Sequence, residues 1–302
     1  MPRAISDQFR ATDEPRGLTM MHPIAGDMYG VDGYDPAISG ELRRPSDQLE
    51  IPNWGLDKVI ARRAALDLID GESVNLEFGI SALVPRILLE EDLDGRVAWV
   101  IEQGAIGGMP LLGFQFGCAA NAQAIMPSPA QFTYFQGGGF DRCLLSFLQV
   151  DAVGNVNVSR LHGKPQVTAG AGRQDITLSD GTLTIRDDGT MEKFVPEVEH
   201  VTFSGQMAWE RGQIVSFVME RSANRLLADG LTVTEIAPGV DIARDVLGRV
   251  EIPLRVSPTL RQMDERVLRP EPMGLTLRQT GESHSTEVLT AGRERVERNG
   301  RA

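Results

Sequence analysis

Runs of apolar residues ending on glycine or acid punctuate the first half of the chain. Val97 to Ile101 is a short continuous apolar run of the kind that forms a buried strand, and it stops on Glu102, with Gly104, Gly107 and Gly108 following. Val74 to Phe78 is a second β-rich run, closed by Gly79 and followed by a helical stretch through Leu88 and Leu89. Ahead of it, Gly55 to Ile69 reads as a helix: Pro52 and Asn53 give a start signal, Ala61, Ala64 and Ala65 favour helix and close packing, and Gly71 is the stop. Leu144 to Val150 predicts one strongly apolar strand, with a turn at Gly154-Asn155 and a further strand over Val156-Asn157-Val158.

Farther along, Asp180-Gly181 and Asp188-Gly189 bracket the alternating segment Leu183-Thr184-Ile185, a hairpin pattern rather than a helix-strand repeat. Ile214 to Val218 and Leu231 to Ile236 predict strands, and Asp241 to Leu247 a short helix after Pro238-Gly239. Such a mixture predicts a three-layer α/β/α domain with a mostly parallel sheet and extra β-hairpins, over residues 54–275. Residues 1–53 mix Pro, Gly, Asp, Arg and Met without periodicity and read as an extended N-terminal arm or linker. Residues 276–302 are polar and charge-rich and read as a disordered tail.

Composition narrows the function classes. The 302 residues are 41% hydrophobic and 24% charged, enough apolar content for a sizeable core. A formal charge of −12 argues against a nucleic-acid partner, which would need clustered Lys and Arg. Cys118 and Cys143 stand in no metal-like spacing with the four His residues, so no metal is expected and both read as buried thiols. No bilayer-length apolar stretch or leader pattern is found, and a cytoplasmic location without membrane contact is the expectation.

Glu102 is the residue whose position asks for chemistry. At the carboxyl end of a strand in an α/β sheet, loops line the crevice where ligands bind, and nearby glycines let main-chain N–H groups approach developing negative charge. Position alone leaves two readings open: a solvated strand end before a Gly-rich turn, or a reactive carboxylate.

The surrounding text decides which reading to pursue. Glu102-Gln103-Gly104-Ala105-Ile106-Gly107-Gly108-Met109-Pro110, then Phe116-Gly117, Asn121, the segment Pro129 to Asp141 with its triple glycine, and Asp151 to Ser159 with Gly154-Asn155-Val156-Asn157 resemble family I coenzyme A transferases, of the acetate/acetoacetate and propionate type. Phe194 to Gly205, Glu235 to Asp241 and Pro272-Met273-Gly274-Leu275 continue the likeness, which runs from about Tyr34 to Leu275 and matches the second, β-type half of such enzymes. The resemblance implies an acyl-CoA:carboxylate CoA-transferase subunit with Glu102 as the nucleophile that carries a glutamyl-CoA thioester. It implies no cofactor beyond the substrate CoA thioester, and an α-type partner subunit in a hetero-oligomer. Gly79, Gly104, Gly107, Gly108, Gly170 and Gly172 become the oxyanion and CoA-binding candidates, and Gly137-Gly138-Gly139 a wall of the CoA channel.

Two departures from the family pattern stand out. Glu77 occupies a place where a small residue is usual, making it a possible second carboxylate near Glu102, and strand alternation alone leaves its direction open. After Gly172 the chain passes almost directly to Leu178-Ser179-Asp180-Gly181, where a further central strand is usual. Two alternatives therefore accompany the transferase reading: a hydrolase that cleaves a carbon–carbon bond in a CoA-linked ring with Glu102 as base, and a non-catalytic partner subunit.

Overall fold

The computed structural model describes residues 35–162, 164–165, 175–188 and 192–279. These form two compact units, one from the described residues up to Asn53 with Leu68–Leu145, the other from Trp54–Asp67 with the described residues from Ser146 onward.

The first unit is built on a five-stranded sheet. Its centre is β1 (Ser73–Leu76), flanked by β2 (Ala98–Val100), and after the short strands β3 (Ala105–Ile106), β4 (Met109–Pro110), β5 (Ala119–Ala120) and β6 (Ala124–Ile125) the chain returns as β7 (Arg142–Leu144). The order is β6-β3-β2-β1-β7, and β4 pairs separately with β5. β1 runs parallel to both β2 and β7, so the expected parallel core is formed by β2-β1-β7. Strands covered on both faces need continuous apolar runs rather than alternation, which is why Val74, Leu76, Trp99, Val100 and Ile101 are all buried. The buried polar residue of β1, Asn75, spends its amide on the Val100 carbonyl at 3.0 Å. β3 and β6 then add on antiparallel.

Around this sheet, α1 (Pro36–Ser39) is capped by the Asp35 carboxylate, and α3 (Val84–Glu90) follows a 3₁₀ turn over Ile80–Leu83 that starts at Gly79. Ala37 and Leu49 are buried against Leu89, Met109, Leu111 and Ala120. Asn121, itself at φ +60°, accepts from the Arg44 amide at 2.7 Å and donates to the Arg44 carbonyl at 2.8 Å. α4 (Ser128–Gln136) links β6 to β7; the Gly-rich text at its end obscures this helix in the sequence.

The second unit holds α2 (Leu56–Ala65), shorter than the predicted Gly55–Ile69. It also holds hairpin β8 (Gln149–Val150)/β9 (Val156–Asn157), and short pair β10 (Arg160–Leu161)/β11 (Lys164–Pro165). Next comes hairpin β12 (Asp175–Ser179)/β13 (Thr182–Asp187). Asp180 and Gly181 both have positive φ, 50° and 74°, the tight-turn geometry for which Asp-Gly is suited. After α5 (Gly205–Glu210), a second sheet comprises β14 (Ser216–Val218), β15 (Ser222–Leu227), β16 (Gly230–Ile236) and β17 (Arg255–Gln262), antiparallel except for the parallel β16/β17 pair. The short helix predicted over Asp241–Leu247 is a single π turn, Ile242–Val246, capped by Asp241.

Two expectations need correction. Leu144 to Val150 is not one strand: β7 ends where Leu144 meets Leu76, Leu145 is 53% exposed, and β8 pairs with β9 instead. Cys118 and Cys143 are exposed rather than buried, the first in the loop after Gly117 and the second on β7, the edge strand of its sheet. Neighbouring atoms still desolvate both sulfurs enough to push the thiols upward in pKa. Residues 166–174, including the Gly170-Ala171-Gly172 loop, lie outside the described residues, as do residues 280–302. Among the described residues no helix is long and apolar enough to cross a membrane.

Candidate active site

Glu102 lies in the turn between β2 and β3. The Gly104 amide donates to the Ile101 carbonyl at 2.8 Å and the Ile101 amide to the Ala105 carbonyl at 2.9 Å, so Glu102 sits in a tight turn closed by two main-chain bonds. A second tie comes from α4, where the Ser128 hydroxyl donates to the Glu102 carbonyl at 3.0 Å.

The glycines explain how so many backbones meet here. Gly104 has φ +118°, and a Cβ on it would fall 1.8 Å from the Met126 carbonyl oxygen. That oxygen belongs to a strand exit whose amide bonds the Gly104 carbonyl at 3.0 Å. Cβ atoms on Gly107 and Gly108 would lie 2.8 Å from the Gln123 side chain and 2.3 Å from the Ala120 carbonyl oxygen. These three glycines thus let the chain's own segments close on the Glu102 turn. Gly104→Ala is expected to force Met126 outward and cost about 2–3 kcal/mol, from strain and lost loop bonds. A denaturation midpoint unchanged from the parent would contradict it.

Gly79 is exposed, with φ +110°, at the carboxyl end of β1. Between it and the strand sits Glu77, whose amide donates to the Leu144 carbonyl at 3.2 Å and whose carbonyl accepts from Ser81 Oγ at 2.6 Å. The register Val74↔Trp99, Asn75↔Val100 carries on to bring Glu77 level with Glu102 at the same edge. Burial raises the pKa of the half-buried Glu102, and the charge of Glu77 raises it further. The two carboxylates are electrostatic neighbours, which alternation along one strand could not decide.

Aromatic contacts wall the same edge. Phe78 and Phe116 meet edge to face with centroids 6.2 Å apart, and Gly117, at φ +108°, leaves the space that the Gln103 side chain fills. Gly137 ends α4 as its cap, and Gly139 accommodates the Tyr134 ring, 2.3 Å from where its Cβ would be. Gly170 and Gly172 fall outside the described residues. Sequence reasoning missed Ser128 and the fully buried Gln131 on α4; the Pro127-Ser128-Pro129 helix start was the available signal.

No protein-family model matches the chain. Acetate CoA-transferase YdiF of Escherichia coli O157:H7 is 34% identical over 279 residues, covering 86% of this chain and 52% of that protein. Its apoenzyme crystal structure superposes with a TM-score of 0.74 at 33% identity, over 83% of this chain and 50% of that one. A thioester complex of the same protein with CoA gives 0.69 at 32%, over 77% and 48%. Caffeate CoA-transferase of Acetobacterium woodii is 36% identical over 253 residues, 76% of this chain and 48% of that protein. Acetate CoA-transferase subunit beta of Escherichia coli K12 is 27% identical over 203 residues, 61% of this chain and 87% of that subunit. The chain spans about half the length of the first two curated relatives. With the strand-end glutamate, its glycine-packed turn and the parallel core all in place, this chain belongs to the family I coenzyme A transferases.

Proposed function

We propose that this chain is the β-type half of an acyl-CoA:carboxylate CoA-transferase in which Glu102 carries CoA as a glutamyl thioester. The observation that carries the reading is the placement of a half-buried Glu102 at the carboxyl edge of the parallel strands, in a chain related to acetate and caffeate CoA-transferases. A carboxylate can accept an acyl group to give a mixed anhydride, and thiolate attack on its own carbonyl then yields enzyme-bound CoA and a free carboxylate. An incoming carboxylate runs the steps in reverse. The chemistry needs the substrate thioester and no further cofactor.

The partner in this reading is an α-type half in a hetero-oligomer. Its support is the extent of the likeness, about half of each long relative but most of a β subunit. Ile125, Phe132 and Tyr134 add exposed apolar area on β6 and α4 that a partner would cover. Mixing the chain and its α-type half with acyl-CoA, without acceptor, is expected to add the mass of CoA at Glu102, removable by hydroxylamine. Acyl-CoA consumption that depends on Glu102 but leaves no adduct would turn the assignment to the hydrolase.

The Glu77–Glu102 proximity is the observation that favours this second reading, because a carboxylate with a raised pKa is a better general base toward water. It also gives a pH test. A nucleophilic Glu102 must be ionised, and a raised pKa means that ionisation is complete only above the ordinary carboxylate range. The acid limb of kcat/KM is therefore expected at higher pH than for an unperturbed glutamate. Glu77→Gln removes the smaller of the two causes and should move that limb down, leaving the part due to burial. A limb that stays fixed in the Glu77→Gln enzyme would remove Glu77 from the site.

A further inference from the structure

β3 is antiparallel to β2 and β6 antiparallel to β3, so β6 points the same way as β2. α4, which leaves β6, thus begins at the edge of the sheet that carries Glu102, and Ser128 ties its first turn to the Glu102 carbonyl. Gln131 is one helical turn on, on the face shared by positions three apart. Helical side chains lean toward the helix N-terminus, which carries Gln131 back over that first turn.

Gln131 is 0% exposed, the one fully buried side chain of α4, while Phe132 and Tyr134 beside it face outward. Neither its Nε2 nor its Oε1 has a hydrogen-bond partner among the described residues. A helix that buries a single side chain would hold the sheet better with Leu or Met than with an unsatisfied amide. An unpaired donor on the helix whose first turn is tied to the Glu102 main chain has the property that transition-state stabilisation requires: it breaks no bond to the protein when charge develops.

We propose that Gln131 is a catalytic residue of the Glu102 site, its Nε2–H donating to the oxyanion formed on the Glu102 carboxyl carbon. The step follows from the proposed transferase chemistry. CoA thiolate attacks the glutamyl carbon of the mixed anhydride, a C–S bond forms, and the carbonyl electron pair moves onto oxygen, where Gln131 meets it. Collapse of this intermediate breaks the anhydride C–O bond, and the acyl carboxylate leaves with its electron pair. Gln131 is then most strongly bonded at the two tetrahedral states that flank the glutamyl-CoA thioester, one on formation and one on discharge.

The test compares wild type, Gln131→Met and Gln131→Asn, each assembled with the α-type half, in single turnovers of acyl-CoA without acceptor. Gln131→Met, close in volume but without an amide, is expected to form the hydroxylamine-sensitive Glu102 adduct about 10²–10³-fold more slowly, as for loss of one oxyanion donor. Its KM for acyl-CoA should stay within about threefold of wild type, because the interaction is absent from the ground state. Its melting temperature should be equal or higher, since an unpaired buried amide is removed. Gln131→Asn keeps the amide but withdraws it by one methylene, and an intermediate loss is expected; it decides the matter should the Met variant not fold. Wild-type rates in both variants, or a lowered melting temperature with an unchanged rate, would overturn the proposal while leaving the Glu102 assignment intact. Absence of any adduct in wild type would overturn both.

Discussion

Glu102→Gln is expected to lower turnover by about 10⁴- to 10⁶-fold, the range that accompanies removal of a covalent nucleophile or its essential partner. An amide cannot take up an acyl group to give the anhydride, so no later step is reached. The loss should far exceed that of Gln131→Met, which removes one donor and keeps the nucleophile. Folding should survive. Glu102 has a pKa raised by burial and by Glu77, so its folded form holds a proton more tightly than the unfolded chain does. Above that raised pKa its ionisation costs stability, and at neutral pH the neutral glutamine relieves the cost. The melting temperature at pH 7 is therefore expected to be equal or higher, and the gap between variant and wild type to shrink as pH falls through the raised pKa. Residual turnover within tenfold of wild type would show that Glu102 is not the acyl acceptor.

The elements that frame Glu102 were legible because a parallel strand writes itself as an unbroken apolar run: β1 overlaps Val74–Phe78, starting one residue earlier at Ser73, and β2 lies inside Val97–Ile101. The Asp180-Gly181 turn was legible for a different reason, since few residue pairs tolerate two successive positive φ values. β15 and β17 went unpredicted because Arg225, Arg255 and Arg261 interrupt their alternation, and their pairing is set by neighbours distant in sequence. α4 was hidden by its own termini: Pro127-Ser128-Pro129 at one end, three glycines at the other, and only one buried side chain between them. The direction of Glu77 was out of reach in principle. Both faces of β1 are buried, so alternation carries no inside or outside, and only the register with β2 brings the two carboxylates level. The glycines after Glu102 were recognised as clearance, but what they clear is Met126, Gln123 and Ala120 of the same unit.

Arg63→Ala is expected to cost about 3–5 kcal/mol, the largest effect on stability foreseen for a single side chain, through charges left behind rather than through lost volume. Arg63 lies on α2 and is 5% exposed. It forms a two-pronged pair with Glu235 of β16, Nε to Oε2 at 2.7 Å and Nη2 to Oε1 at 3.0 Å, and an ion pair with Asp67, four residues on, at 3.1 Å. Burial acts to lower the Arg63 pKa, but Asp67 and Glu235 together raise it, so the guanidinium is held charged by two acids that it in turn neutralises. Without it, Glu235 keeps its pair with the exposed Arg261 at 3.1 Å and Asp67 its longer contact with Arg278 at 3.7 Å, and the Arg225 charge, near both acids, offsets part of the loss. Removing both ends of the main pair reverses the logic. In Arg63→Met/Glu235→Leu the buried carboxylate of β16 is gone and apolar contacts replace the pair, so the double variant should be more stable than Arg63→Ala by at least about 1 kcal/mol. Thermal unfolding of the single and double variants measures this directly. Strictly additive losses would mean that the pair is solvated, and that α2 is held to its sheet by packing alone.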